Sequence, residues 1–205
     1  MKKTKIILAT RNPGKIREIK KIMRSVPVQI LALSDKEFKN RKVPRLVENG
    51  KTFEENALKK AYRLAQWAKL PALADDSGLQ IKVLDGLPGI KSARFAGPGA
   101  SDKKLCQKVL RLMAGRPKSE RAARFVCLAA LVFPDGRSYA RTGYCRGYIS
   151  EKMAGQNGFG YDPIFYYPPL KKNFAELSLR NKNQVSHRSQ AFRKMAVLLK
   201  KLTIT

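Results

Sequence analysis

The run Lys5-Ile-Ile-Leu-Ala-Thr10 leads directly into Arg11-Asn-Pro-Gly14, after which Ile16, Ile19, Ile22 and Met23 recur at helical spacing. A buried strand, a turn and an amphipathic helix in immediate succession make a strand–helix unit, and such a unit needs a sheet with helices laid on it. The same alternation recurs along the chain. Val26 to Leu33 is a second strand candidate, and Asp35 to Leu46, basic and containing proline, is a surface connection. Thr52 with Glu55 three residues on fits a capping box, opening a helix to about Lys69 whose apolar face is Ala57, Leu58, Ala61, Leu64, Ala65 and Ala68. Leu70 to Ala74 reads as a buried strand that Ser77-Gly78 ends abruptly, with Leu79 to Leu84 strand-like beyond it. Ser101 to Ala114 is a helix with Leu105, Val109, Leu112 and Met113 turned inward, and Arg124 to Phe133 pairs with Arg137 to Tyr144 as a hairpin about Pro134-Asp-Gly136. A last helix starts at Ser186 and buries Ala191, Met195, Leu198 and Leu202. The class is α/β. A chain of 205 residues with 43% apolar content supports one well-packed domain or two closely joined lobes, and no repeat, low-complexity tract or linker divides it.

Charge narrows the partners. Lys and Arg number 43 against 15 Asp and Glu, a formal +28, so the molecule attracts polyanions: nucleotides, nucleic acids or anionic membranes. Cys106, Cys127 and Cys145 are odd in number and lack the short paired spacing of zinc sites, which predicts reduced, mostly buried thiols and a cytoplasmic protein. No apolar run approaches the roughly 18 residues that span a bilayer, and the basic start from Met1 to Lys5 leads only into a strand-length run. No membrane partner is expected.

Three stretches carry chemistry. At Arg11-Asn-Pro-Gly14, Asn12 suits an N-cap and Pro13 the first helical position, so free backbone N–H groups and the helix dipole converge there. With donors from Thr10, Arg11, Asn12 and Lys15 the turn is a candidate polyphosphate cradle, although it lacks P-loop spacing and a basic helix after a strand is also an ordinary arrangement. Asp75-Asp76-Ser77-Gly78 puts two carboxylates and a hydroxyl at the end of a buried strand, where open α/β sheets hold ligands; the same four residues also make an ordinary turn. Gly155 to Phe165 gathers glycines, aromatics and Asp162, suited either to a flat ligand or to a glycine-rich turn with core aromatics. His187 and Arg188 open the last helix, where acids are the favoured residues, and cations there point to a docked anion.

Taken in order, Leu8-Ala-Thr-Arg-Asn-Pro-Gly-Lys15, Thr52-Phe-Glu-Glu-Asn-Ala57, Ala74-Asp-Asp-Ser-Gly-Leu79, Gly158-Phe-Gly-Tyr-Asp-Pro-Ile-Phe165 and Ser186-His-Arg188 resemble the inosine triphosphate pyrophosphatase family, the bacterial XTP/dITP diphosphatases. Five blocks in family order and spacing cover almost the whole chain. The resemblance implies one pyrophosphatase domain over residues 1–205, an elongated twisted mixed sheet flanked by helices, two lobes with a nucleotide cleft between them, and a homodimer. It implies hydrolysis of XTP, ITP and dITP to a nucleoside monophosphate and pyrophosphate. Thr10, Arg11, Asn12, Pro13, Gly14 and Lys15 would hold the triphosphate with Lys60, and Asp76 would be the catalytic carboxylate and a metal ligand with Ser77 beside it. Phe159, Gly160, Tyr161 and Asp162 would wall the base pocket, and Lys182, His187 and Arg188 would read the purine edge. Donors aimed at a 6-oxo group would favour hypoxanthine and xanthine over adenine. A carboxylate site suits Mg²⁺, a hard ion that keeps waters and shares phosphate oxygens.

The chain departs from the family at one place. Relatives carry two consecutive acids ahead of the helix that begins at Phe53, the first a metal ligand, whereas here the pair reads Val47-Glu48. Either Glu48 substitutes after a backbone adjustment, or the metal relies on Asp76, neighbouring acids and water. Two other readings compete. The Maf-type nucleotide pyrophosphatases share the general architecture, but the Thr52–Ala57 and Phe159–Phe165 blocks speak against them. A nucleic-acid-binding protein would use the +28, yet the basic residues are scattered without an aromatic-basic module, which supports nonspecific phosphate attraction only.

Overall fold

The computed structural model describes residues 4–204, so the part of the basic start formed by residues 1–3 lies outside the described residues. Seven strands form one sheet: β1 (Thr4–Leu8), β2 (Val28–Leu31), β3 (Ala72–Ile81), β4 (Ala122–Val132), β5 (Ser138–Ile149), β6 (Phe165–Tyr167) and β7 (Lys172–Asn173), in the order β2-β1-β3-β4-β5-β6-β7. β1 runs parallel to β2 and β3, while β6 is antiparallel to β5 and β7, so the sheet is mixed. The parallel pairs require crossovers, which α1 (Pro13–Ile22) and α2 (Phe53–Ala68) supply. The remaining helices are α3 (Asp102–Leu112), α4 (Leu179–Val185) and α5 (His187–Ile204).

Backbone contacts divide the chain into two compact units. Unit 1 holds the chain through Asp76, Cys127–Gly143 and the chain from Arg188; unit 2 holds Ser77–Val126 and Tyr144–His187. In unit 1 the sheet alternation sorts the core into two layers. Ile6, Leu8, Leu73, Cys127, Ala129 and Leu131 pack with Ile19 of α1 and Ala191, Phe192 and Met195 of α5. Ile7, Ala72, Ala74, Leu128 and Ala130 pack with Ala57, Ala61, Leu64 and Ala65 of α2. Unit 2 has its own core, built on Leu79, Val109, Phe125, Phe165 and Phe174.

Several expectations need correction. Asp75-Asp76-Ser77-Gly78 is not a turn: β3 passes straight through it to Ile81, joining two expected strands into one. Gly78 lies in extended backbone, and the Leu79 N–H donates to Ser92 Oγ (3.0 Å), so the segment is held as strand on both sides of the glycine. Leu112 is exposed rather than inward, Cys106 taking the buried position on α3. The Thr52 capping box is half formed: Thr52 Oγ1 accepts from Glu55 N (3.0 Å), but Glu55 Oε2 accepts from Lys51 N (2.9 Å) instead of the cap's own N–H. α4, capped by Ser178, was not anticipated, because its seven residues show no apolar period.

Candidate active site

Adjacent residues of a strand point to opposite faces, and this rule separates Asp75 from Asp76. Asp75 continues the face of Leu73 and meets α5; Asp76 continues the face of Ala72 and Ala74 and meets α2. Two carboxylates that look equivalent in the sequence therefore enter different surroundings.

Asp75 is 1% exposed and surrounded by donors. Arg188 Nε donates to its Oδ2 at 3.0 Å, Cys127 Sγ lies 3.0 Å from the same oxygen, and the Lys15 ammonium pairs with Oδ1. Arg188 turns its Nη1 to Glu18 Oε2 at 2.6 Å. Burial alone would raise the Asp75 pKa, but the charges of Arg188 and Lys15 outweigh it and hold the carboxyl well below the usual range. The anion that the cationic start of α5 called for is thus internal, namely Asp75 and Glu18. Arg188 is only 2% exposed, and its guanidinium is spent on these two carboxylates rather than presented to a purine edge.

Lys15 belongs to the turn between β1 and α1. Asn12 caps α1 by accepting from Lys15 N (3.0 Å), Pro13 occupies the first turn, and Thr10 Oγ1 accepts from Asn12 N (3.2 Å). The capping expected of Asn12 and Pro13 is observed, and Arg11, Asn12 and Pro13 lie exposed around it, with Gly14 and Lys15 half-buried.

On the other face Lys60 gathers the remaining groups. It is 4% exposed, and its ammonium donates to Glu48 Oε1 (2.5 Å), the Asp75 carbonyl (2.7 Å) and Asp76 Oδ1 (3.2 Å). Asp76 Oδ2 is buried without a hydrogen-bond partner. Burial raises the Asp76 pKa, and the Glu48 and Asp75 charges add to it against the pull of Lys60. For Glu48, burial is outweighed by Lys60, and its pKa is lowered. The loop that presents Glu48 is fastened by Asn56, whose Oδ1 accepts from Gly50 N (2.7 Å). A Cβ on Gly50 would come within 2.8 Å of that oxygen, so the loop needs glycine there. Val47 supplies no ligand, yet Glu48 stands beside Asp76 on their shared lysine. Ser77 follows, half-buried, as the first residue of unit 2.

In unit 2, Asp162 and Lys182 form a buried pair at 2.5 Å, and Asp162 Oδ2 also accepts from Phe159 N (2.9 Å). The Lys182 ammonium lies 4.8 Å from the Phe159 ring centroid. Gly158 makes this possible: its φ is +78°, and a Cβ would meet Asp162 Oδ2 at 2.0 Å. Gly160 N donates to Asp102 Oδ2 (2.7 Å) and the Tyr161 hydroxyl to the Ser92 carbonyl (2.8 Å), pinning the loop to α3 and its preceding turn. Tyr161 is therefore a buried anchor, whereas Phe159 and Gly160 are half-buried. His187 stacks on Phe125 with ring centroids 4.6 Å apart.

The Ham1 family profile matches residues 6–198. The chain belongs to the Ham1 family. Ham1 relatives include a dITP/XTP pyrophosphatase of Syntrophobacter fumaroxidans, 48% identical over 91% of this chain and 78% of that protein. Another, from Desulforamulus reducens, is 42% identical over 98% of both chains. Among solved structures, a HAM1 protein from Coxiella burnetii superposes with a TM-score of 0.85 at 39% identity, over 97% of this chain and 99% of that one. The Staphylococcus aureus Ham1 protein gives 0.83 at 37% identity, over 97% and 100%.

Within this Ham1 chain, sequence reasoning missed Glu18, Cys127, Asn56 and Asp102. Glu18 left a trace, being an acid beside Ile19 on the apolar side of an otherwise basic helix. The others become visible only when strands and loops are brought together. Among the described residues, no group of three or more His, Cys, Asp or Glu side chains could hold a metal ion. The partnerless Oδ2 of Asp76 and the nearby Glu48 are nonetheless hard oxygen donors of the type a divalent cation takes.

Proposed function

We propose that the protein hydrolyses the non-standard purine nucleoside triphosphates dITP, XTP and ITP to the nucleoside monophosphate and pyrophosphate, with the whole chain acting as one pyrophosphatase domain. The observation that carries this reading is Asp76, a buried carboxylate with one oxygen held by Lys60 and the other without a protein partner, in a chain similar over nearly its full length to dITP/XTP pyrophosphatases. That full-length likeness favours it over a Maf-type enzyme or a nucleic-acid-binding protein.

Thr10, Arg11, Asn12, Pro13, Gly14 and Lys15 bind the triphosphate through backbone N–H groups and cations, with Lys60 beside them. Asp76 orients the attacking water and accepts its proton; the oxygen adds to the α-phosphorus, and the bond to the bridging oxygen breaks to release pyrophosphate. Asp76 and Glu48 hold Mg²⁺, which when bound offsets charge on the phosphates. Two protein carboxylates leave the remaining positions to water and phosphate oxygens, as this ion prefers. Phe159, Gly160 and Tyr161 support the base, and Lys182 and His187 supply donors for a 6-oxo purine, with Asp162 orienting Lys182. Arg188 serves by fixing Asp75, and through it Lys15. The enzyme is a cytoplasmic homodimer in this reading; three free, buried cysteines accord with a reducing compartment, and among the described residues no helix is long and apolar enough to cross a membrane.

The test is pyrophosphate release from dITP, XTP and ITP against ATP and GTP, with Mg²⁺ and with excess chelator. Preference for the first three and loss on chelation are expected. Equal turnover of all five, or none with Mg²⁺, overturns the reading. Sedimentation of the purified protein tests the dimer.

A further inference from the structure

Unit 1 contains a recess of about 380 Å³ to which the phosphate turn contributes Thr10 and Arg11, and the segment after β2 contributes Ser34, Phe38, Lys39 and Arg41. Its volume is at the lower end of small-ligand sites, which run from roughly 300 to 1,000 Å³. Three cations line it and no carboxylate does. The acids of the adjoining segment are engaged elsewhere: Asp35 accepts from Ala32 N (2.8 Å) and pairs with Lys20 (3.5 Å), and Glu37 pairs with Lys5 (3.4 Å).

Arg41 is fixed in place, its Nη2 donating to the Trp67 carbonyl (2.8 Å) and its guanidinium carbon lying 4.2 Å from the Trp67 ring centroid. Arg11 and Lys39 are exposed, and neither meets a carboxylate among the described residues. Thr10 Oγ1 accepts from Asn12 N, which leaves its own hydroxyl proton to donate. One planar guanidinium, two further cations and hydroxyls over an apolar floor suit a compact anion with several oxygens, and like charges so close repel one another until an anion enters.

We propose that this recess binds a small polyphosphate anion, of which pyrophosphate is the representative, at a position separate from Lys60 and Asp76. That the ligand is the reaction's own product rests on the function proposed above; the site does not.

Trp67 is the chain's one tryptophan and stacks against Arg41, so its emission reports on the recess. The full-length protein is titrated with pyrophosphate at constant ionic strength, without nucleotide or Mg²⁺, alongside orthophosphate, inosine monophosphate and sulfate. A saturable emission change is expected with pyrophosphate, weakened about tenfold in Lys39→Gln by loss of one charge-assisted contact, with turnover of dITP unaltered. Lys15→Gln, which alters the substrate turn, lowers turnover and leaves the emission titration within about twofold. The proposal fails if pyrophosphate gives no saturable change, if sulfate or orthophosphate gives the same curve, if inosine monophosphate binds more tightly, or if Lys15→Gln abolishes the signal while Lys39→Gln leaves it intact. A protein that binds pyrophosphate as described but releases none from any triphosphate would overturn the proposed activity and leave the site standing.

Discussion

Asp75 and Asp76 are neighbours with opposite expected phenotypes. Asp76→Asn keeps the shape and removes the negative charge beside Lys60, so turnover should fall about 10²- to 10⁴-fold, the range for loss of a general base. Its urea midpoint should stay near wild type, since Lys60 keeps Glu48 and the Asp75 carbonyl as partners. Near-normal turnover in this variant would reject Asp76 as the catalytic carboxylate. Asp75→Asn instead leaves Arg188 and Lys15 with an uncompensated buried charge, and about 3–5 kcal/mol of stability should be lost. Urea unfolding would show it; a loss below 1 kcal/mol would mean that solvent reaches the site. The sequence named both acids but could not rank them, because the ranking depends on which helix covers each face of β3. The cysteines follow the same logic of burial: it pushes Cys106 and Cys145 each up to about 12 and Cys127 well above its ordinary value. A thiol reagent near pH 8, where an ordinary cysteine begins to ionise, should therefore label none rapidly in the native protein and all three in denaturant.

At the scale of elements, the starts of helices were legible and the path of β3 was not. Asn12, Thr52 and Ser101 each accept the N–H three residues on, a local interaction fixed by a few consecutive residues. Ser77-Gly78 reads as a break by the same local rules, yet Ser92 Oγ, brought in from a later turn, holds Leu79 in the strand. Local propensity loses where a partner distant in sequence supplies the bond. Glycine at 158 is the converse case, a residue whose necessity depends on what faces it. Gly158→Ala forces a Cβ against the Asp162 carboxylate at a positive φ, so about 1–3 kcal/mol of strain is expected. Since that carboxylate orients Lys182, KM for dITP should rise more than kcat falls. Wild-type kinetics and an unchanged urea midpoint in Gly158→Ala would show that the loop relaxes without loss.

For the whole molecule, the consequence of +28 depends on where the charges end up. Among the described residues, burial takes Glu18, Asp75, Asp76 and Asp162 from the acids and Lys60, Arg121, Lys182 and Arg188 from the bases, one for one. The internal charges thus nearly cancel, and the full excess stays on the surface. Surface cations of one sign repel one another over the Debye length, which shrinks from about 30 Å at 0.01 M salt to about 8 Å at 0.15 M. The native state gathers these charges more closely than the unfolded chain does, so it gains more from screening. The melting temperature should therefore rise with NaCl over this range, opposite to a protein held together by exposed ion pairs. Retention on single-stranded nucleic acid should fall over the same range, because such binding depends on released counterions rather than on base contacts. Calorimetry and a binding titration on one sample separate the cases. A melting temperature that falls with salt would show that surface pairs such as Arg116–Glu120 and Arg137–Asp135 outweigh the net repulsion, and binding that survives salt would point to a nucleic-acid site the scattered cations do not account for.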